Sequence, residues 1–367
     1  MYNERQTDFM FIFYIGLLLV LGLIILTSAS SVVGLQRFND SYFFIKKQFF
    51  FGIIPGIIAF YIFAKLDYHV LKKFYLHIFV VACVLLLLVF FPGIGSNLNT
   101  GAKSWLVFGG YSFQPAEFAK LALIIFMAAY LSILGKKLDD FKHGFLISLG
   151  ISSIPFVLIV AQPDTGTLSI LFAILFLMLF FAGAKYSHIG ALAGTGIVLF
   201  AVMILIAPYR AERFMTFLHP ELDPLGQGYH INQSFLAIGS GGVFGLGLGH
   251  SRQKFQYLPE VHADSIFAIY AEEMGFISSV GLIVLLLLIA FRGFMIAKHA
   301  PDDFGRLLSA GIISWLVVQS FLNIGAMVGL LPLTGVPLPF VSHGGTALLI
   351  SLAAVGIVTN VSKQRTN

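Results

Sequence analysis

Seventeen Asp and Glu and 22 Lys and Arg are spread over 367 residues, so each ionisable side chain is a candidate for chemistry. Asp264 closes the string Gln253-Lys254-Phe255-Gln256-Tyr257-Leu258-Pro259-Glu260-Val261-His262-Ala263-Asp264, in a segment that also carries Arg210, Arg213 and Arg252. A carboxylate among cations suits a reaction that needs a general base and stabilisation of a departing phosphate. Its structural alternative is an N-cap for the apolar run that follows, worth about 1 kcal/mol. Glu117 and Lys120 are three apart, which on a helix puts them on one face. Lys120 is predicted to pair with Glu117 first, with Asp164 or a glutamate at 272 or 273 as alternatives, because an unpaired ammonium at membrane depth is costly. Glu272 and Glu273 would point about 100° apart on a helix, so each needs its own partner, and structural polar contacts are expected of them. Asp164 follows Gln162-Pro163 in a tight turn, where an acid usually caps the next helix. The glycine-rich run from Gly239 to Gly249 fits neither the dinucleotide fingerprint nor a P-loop, and leaves a backbone free to turn or to approach closely. His219, His230, His250, His262 and His343 match no metal-ligand spacing.

The elements that position these groups follow from composition. Hydrophobic residues make up 58% of the chain and charged residues 11%, with a mean hydropathy of +0.92. Soluble domains run at about 45–50% and about 25%, so the chain reads as an all-α polytopic membrane protein. Apolar runs able to cross about 30 Å of hydrocarbon lie near 9–29, 48–64, 74–92, 114–134, 144–161, 165–184, 188–207, 265–291, 307–331 and 345–361. Ten spans put both termini on one side. A cytoplasmic placement gives thirteen Lys and Arg inside against eight outside, as the positive-inside rule favours. Ser28-Ala29-Ser30 could pass as a signal-peptide cleavage site, but the first run exceeds a 7–15-residue h-region and is expected to stay as an anchor. The whole chain, 1–367, reads as one membrane domain. Residues 208–264 form one long external segment within it, too long for a passive link. The basic balance reads as loop charge facing anionic lipid, not as a nucleic-acid footprint. Cys83, the one cysteine, can form no internal disulfide.

The run from Gly239 through Lys254 and Tyr257-Leu258-Pro259-Glu260 to His262-x-Asp264, then Ile266-Phe267-Ala268 and Glu272-Glu273-x-Gly275, resembles the SEDS family (FtsW, RodA and SpoVE). So do Gln114-Pro115-Ala116-Glu117 with Lys120, Gln162-Pro163-Asp164-x-Gly166-Thr167, and Leu338-Pro339-Phe340-Val341-Ser342-His343-Gly344-Gly345. The likeness runs from the first span to the last, and Gln253-Lys254 before Tyr257 is more similar to the division and sporulation members than to the elongation member. Three positions depart from the family pattern. Ser265 stands where Phe usually follows the acid, His343 replaces a usual Tyr, and Lys103-Ser104-Trp105 lacks the usual Arg before Trp105.

The resemblance implies a peptidoglycan glycosyltransferase of the cytoplasmic membrane that polymerises lipid II at the outer face, working with a class B penicillin-binding transpeptidase and other division proteins. By motif match Asp264 falls on the family's essential acid. Substrate contacts are expected from Gln114, Glu117, Lys120, Asp164, Arg210, Arg213, Lys254, Glu260, His262 and Ser342. No cofactor is expected, and the need for a divalent metal is left open. The rival readings are a flippase for the same lipid-linked precursor, which would distribute polar groups at the bilayer midplane, and a non-catalytic division scaffold, which would need no acid.

Overall fold

The computed structural model describes residues 7–96, 103–109, 111–206, 208–223, 226–255 and 257–364. Long apolar runs without polar partners for their backbone can only be helical in lipid, and each of the ten runs forms a helix. These are α1 (Phe9–Phe38), α2 (Phe43–Gln48) continued through a π-turn into α3 (Ile54–Lys65), α4 (His69–Leu88), α5 (Pro115–Leu134), α6 (Ile147–Ala161), α7 (Thr165–Phe181), α8 (Tyr186–Ile206), α11 (Ile266–Lys298), α12 (Asp303–Met327) and α13 (Gly345–Lys363). Among the described residues, eight of the spans are long and apolar enough to cross a membrane, while α7 and the Tyr186–Val202 part of α8 are shorter apolar stretches. Most of α5, α12 and α13 is buried, whereas α1, α4 and α6 present much of their apolar surface outward. The core is therefore a central trio of helices ringed by the rest.

Segment 208–264 is partly helical and lies against the bundle. It contains α9 (Pro208–Leu218) and α10 (Gln227–Gly241), and α10 packs along α11.

The all-α expectation needs one addition, a three-stranded antiparallel meander of β1 (Gly95–Ser96), β2 (Trp105–Phe108) and β3 (Tyr111–Phe113) between α4 and α5. Its signal was in the sequence. Two aromatic and branched runs flank Gly109-Gly110, and Phe108 pairs with Tyr111 across a turn in which Gly109 has φ 54°.

The glycine-rich run finds its use at a break in α11. Gly275 sits at φ 77°, ψ −178° inside that helix, a region open in practice only to glycine. The break frees backbone groups, and the loop after α10 takes them up. Leu246 and Gly247 N–H donate to the Glu272 and Glu273 carbonyls at 3.0 and 2.9 Å, and Phe276 N–H donates to the Gly242 carbonyl at 2.9 Å. Such backbone-on-backbone packing leaves no room for side chains: a Cβ on Gly275 would lie 2.2 Å from Gly245 N, and one on Gly245 would lie 2.2 Å from the Glu273 carbonyl oxygen. Gly275→Ala should therefore lose at least the roughly 1–3 kcal/mol of backbone strain, read as a lower melting temperature in detergent. An unchanged melting temperature would show that the loop and the break are not interlocked.

Candidate functional site

Asp264 stands at the end of a tight turn just before α11. The Glu260 carbonyl accepts from Ala263 N–H at 2.9 Å and from Ser265 N–H at 3.3 Å, and Glu260 takes the left-handed value φ 48°. The N-cap of α11 is Ser265, not Asp264, so the capping alternative for the acid does not hold. Asp264 Oδ1 is buried without a hydrogen-bond partner. Burial, then the charge of Glu260, pushes the carboxyl up to about 7. A carboxyl held there titrates where a general base is most effective.

The loop between α12 and α13 roofs this acid. Asn323 Nδ2 donates at 2.8 Å to both the Asp264 and Val336 carbonyls, and Gly335 faces Asp264 Oδ2 closely enough that a Cβ there would lie 4.0 Å away. One turn earlier on α12, Gln319 Nε2 donates to the Pro337 carbonyl at 2.9 Å. The Gln319 amide oxygen accepts from Lys120 Nζ and from Trp315 Nε1, both at 2.7 Å. Lys120 also pairs with Glu117 at 2.8 Å, as the spacing predicted, and both are buried. Glu117 Oε2, like Asp264 Oδ1, has no hydrogen-bond partner. Two side-chain amides on one face of α12 thus tie the Glu117–Lys120 pair and the Asp264 turn to the same loop.

Other expected residues have defined structural engagements. Lys254 is 3% exposed and its ammonium is taken up by Glu273 at 2.8 Å, the Gly249 carbonyl at 2.7 Å and Ser28 Oγ at 3.2 Å. Glu272 accepts from Arg252 N–H at 3.0 Å, from Gln253 N–H at 3.3 Å and from the Ser251 hydroxyl. The two glutamates thus take separate partners and clamp the 249–254 loop. Asp164 caps α7 through Thr167 N–H and Oγ1 at 2.9 and 2.8 Å. Ser342 Oγ accepts from Leu338 N–H at 2.8 Å and braces the turn that holds His343. Gln114 is the N-cap of α5, its N–H donating to Thr346 Oγ1 at 3.4 Å. Arg210 and Arg213 lie on α9, and their side chains are outside the described residues.

His262 and His343 sit beside the acid's turn, joined by a 2.8 Å bond from His343 N–H to the His262 carbonyl and both packed on Phe44. Burial lowers both imidazoles, His343 to about 3 with help from the charges of His262 and Lys47. A cleft of about 420 Å³ opens here, lined by Val33, Gln36, Arg37 and residues 258–262. Arg37 and Lys47 are among the eight Lys and Arg that the sequence places outside the spans on the external side. Nothing local signals their role, because α1 and α2 meet the 258–262 turn only through tertiary packing. Gln319 and Asn323 were missed for the same reason. Among the described residues no group of three or more His, Cys, Asp or Glu side chains is arranged to hold a metal ion.

This arrangement coincides with a likeness along the whole chain. Residues 8–367 match the family model for FtsW, RodA and SpoVE, described as cell cycle protein. The chain belongs to the FtsW/RodA/SpoVE family. It is 43% identical over 361 residues to the Stage V sporulation protein E of Bacillus subtilis, covering 98% of each chain. It is 41% identical over 341 residues to a probable peptidoglycan glycosyltransferase FtsW of Geobacter sp. strain M18, covering 93% of this chain and 92% of that one. Among solved structures, a chain described under "Structural coordination of polymerization and crosslinking by a peptidoglycan synthase complex" superposes with a TM-score of 0.79 at 26% identity, over 97% of each chain. The rod shape determining protein RodA of Thermus thermophilus gives 0.70 at 25%, over 98% of each. The bundle is thus shared with these solved chains over nearly their whole length.

The saturated ion pair of Lys254 gives a sharp expectation. Lys254→Met should cost about 3–5 kcal/mol, because it leaves the buried Glu273 charge unpaired. The double variant Lys254→Met/Glu273→Gln should recover much of that in detergent melting. A double variant no more stable than the single one would show that the pair does not carry the cost.

Proposed function

We propose that the chain is a peptidoglycan glycosyltransferase that polymerises lipid II, with Asp264 as its general base. The observation that carries this is the Asp264 carboxylate, buried, with one oxygen unpartnered and its proton affinity raised to about 7, in a chain whose relatives include proteins named probable peptidoglycan glycosyltransferases. The acceptor sugar hydroxyl gives its proton to the Asp264 carboxylate as its oxygen bonds to the anomeric carbon of the donor. The bond from that carbon to the polyprenyl pyrophosphate breaks, and the pyrophosphate leaves with the electron pair. Arg37, which lines the cleft with Glu260 and His262, and Lys47, whose charge acts on His343, supply positive charge for it. Lys120 and Lys254 act from behind by fixing the walls, and Arg210 and Arg213 are further candidates on α9.

Three acids of the bundle lie at one end of it: Glu117 opens α5, Asp164 opens α7 and Asp264 precedes α11. That distribution favours transfer at one membrane face over carriage through the midplane. We place this end outside, with both termini cytoplasmic and 208–264 external, on the thirteen-to-eight bias of Lys and Arg. A class B penicillin-binding transpeptidase is the proposed partner, supported by the similarity to a chain of a peptidoglycan synthase complex. A role in division, with other division proteins as partners, is proposed from the FtsW relatives.

Asp264→Asn keeps the shape and removes the base. Polymerisation of lipid II by the purified protein with its transpeptidase should fall by about 10²-fold or more, while membrane insertion stays intact. Substantial activity in a folded Asn variant would sink the mechanism. The sign of the raised proton affinity adds a second expectation. The ionised form is costly in the fold, so the Asn variant's advantage in melting temperature should grow between about pH 4 and about pH 7 and then level off. For orientation, Leu222→Cys should react with membrane-impermeant thiol reagents on intact cells, and labelling only by permeant reagents would reverse the topology.

A further inference from the structure

Ser265, where the family usually has Phe, brings a hydroxyl into the turn that carries Asp264. The residue is fully buried. Its Oγ lies 2.7 Å from the Pro259 carbonyl oxygen and 2.6 Å from Nε2 of His230, a residue of α10 thirty-five positions away. A carbonyl can only accept and a hydroxyl has a single proton, so Ser265 donates to Pro259 and must receive its second hydrogen bond from His230 Nε2–H. Burial holds the His230 imidazole neutral, down to about 4, so one nitrogen carries a proton, and the bond to Ser265 requires it on Nε2. The Ser265–Pro259 bond closes the turn across Glu260, whose left-handed φ of 48° is otherwise unfavourable for a residue with a side chain. Glu260 is in turn the charge that acts on Asp264.

We propose that His230 is a positioning residue for Asp264: it clamps the Ser265 hydroxyl onto the Pro259 carbonyl, and so fixes the strained turn that holds Glu260 beside the base. The inference rests on Asp264 being the base. It gives the external helix α10 a direct hold on the reactive carboxylate, through a Ser and a His that stand far apart in the chain. The charged and titratable groups around the turn are Glu260 and His262 within it, Arg37 from α1, His343 and Lys47 across His262, and His230 from α10. Of these, Glu260 is the one whose distance from Asp264 the clamp sets.

The test is the pH dependence of lipid II polymerisation, measured between about pH 5.5 and 8.5 with the full chain and its transpeptidase. His230→Phe keeps the bulk and removes the donor, and His230→Leu removes it with a smaller side chain; Ser265 is left in place because its own hydroxyl also hydrogen-bonds the Asp264 carboxyl and lowers its proton affinity. In both variants the turn relaxes, water and Glu260 redistribute, and the acid limb of the rate profile should move to lower pH, with the maximal rate about tenfold down. His230→Gln retains an N–H donor and should restore the wild-type limb and most of the rate. Wild-type profiles in His230→Leu and His230→Phe, with Asp264→Asn inactive, would overturn the clamp while leaving the base in place. An active Asp264→Asn would instead remove the base reading itself. Should His230→Phe not fold, His230→Leu decides alone. A fall in rate with no shift of the limb, or no rescue by His230→Gln, counts against the proposal, because a merely structural contact would give that result.

Discussion

Backbone that is not helical inside a bundle must find partners within the protein, because lipid offers none. This constraint organises the chain at two places, and the candidate site lies between them. At the Gly275 break, the glycine run after α10 supplies the missing donors and acceptors. At the loop between α12 and α13, the amides of Gln319 and Asn323 supply donors, and Gln48 Nε2 adds one to the Ser342 carbonyl at 3.2 Å while its oxygen accepts from Gly344 N–H at 2.9 Å. The chain passes so close here that a Cβ on Gly22 would lie 2.3 Å from the Phe340 carbonyl oxygen.

The same contacts that satisfy this backbone also hold the charges. Glu272 and Glu273 lie just before the break, so their carboxylates reach the 251–254 loop that leads into the Asp264 turn. Lys120 reaches Gln319, and Gln319 reaches Pro337. Glu272, Glu273, Lys254 and Lys120 are each matched by an opposite charge or by several donors, as low-dielectric surroundings require. Glu117 and Asp264 each keep an unpartnered oxygen, but Glu117 is held by Lys120, and Asp264 is the acid that resembles the family's essential residue. With the neighbouring buried charges matched, burial and Glu260 keep the proton affinity of the Asp264 carboxyl high.

Local polar anchors in the membrane part are therefore better understood as walls than as ligands. Lys254 and Asp164 attract attention in the sequence because ionisable groups are rare, yet one is fully engaged in an ion pair and the other caps a helix. The cleft is lined by Arg37, and Lys47 acts on His343 beside it; in the sequence both look like ordinary loop charges.

The sequence by itself determined the ten apolar helices, the Glu117–Lys120 pairing and the family, because hydrophobic run length, i,i+3 spacing and contiguous motifs are local properties. It also carried the hairpin signal around Gly109-Gly110 that periodicity of the long spans obscured. Tertiary structure alone decided that the glycine run completes a broken helix and that Asp264 precedes the cap instead of serving as it. It alone brought Asn323, Arg37 and His230 to the acid's turn. The completed break and the neighbours of the acid's turn depend on contacts between residues 26 to more than 200 positions apart, and nothing in a local pattern encodes which distant backbone groups a break must satisfy.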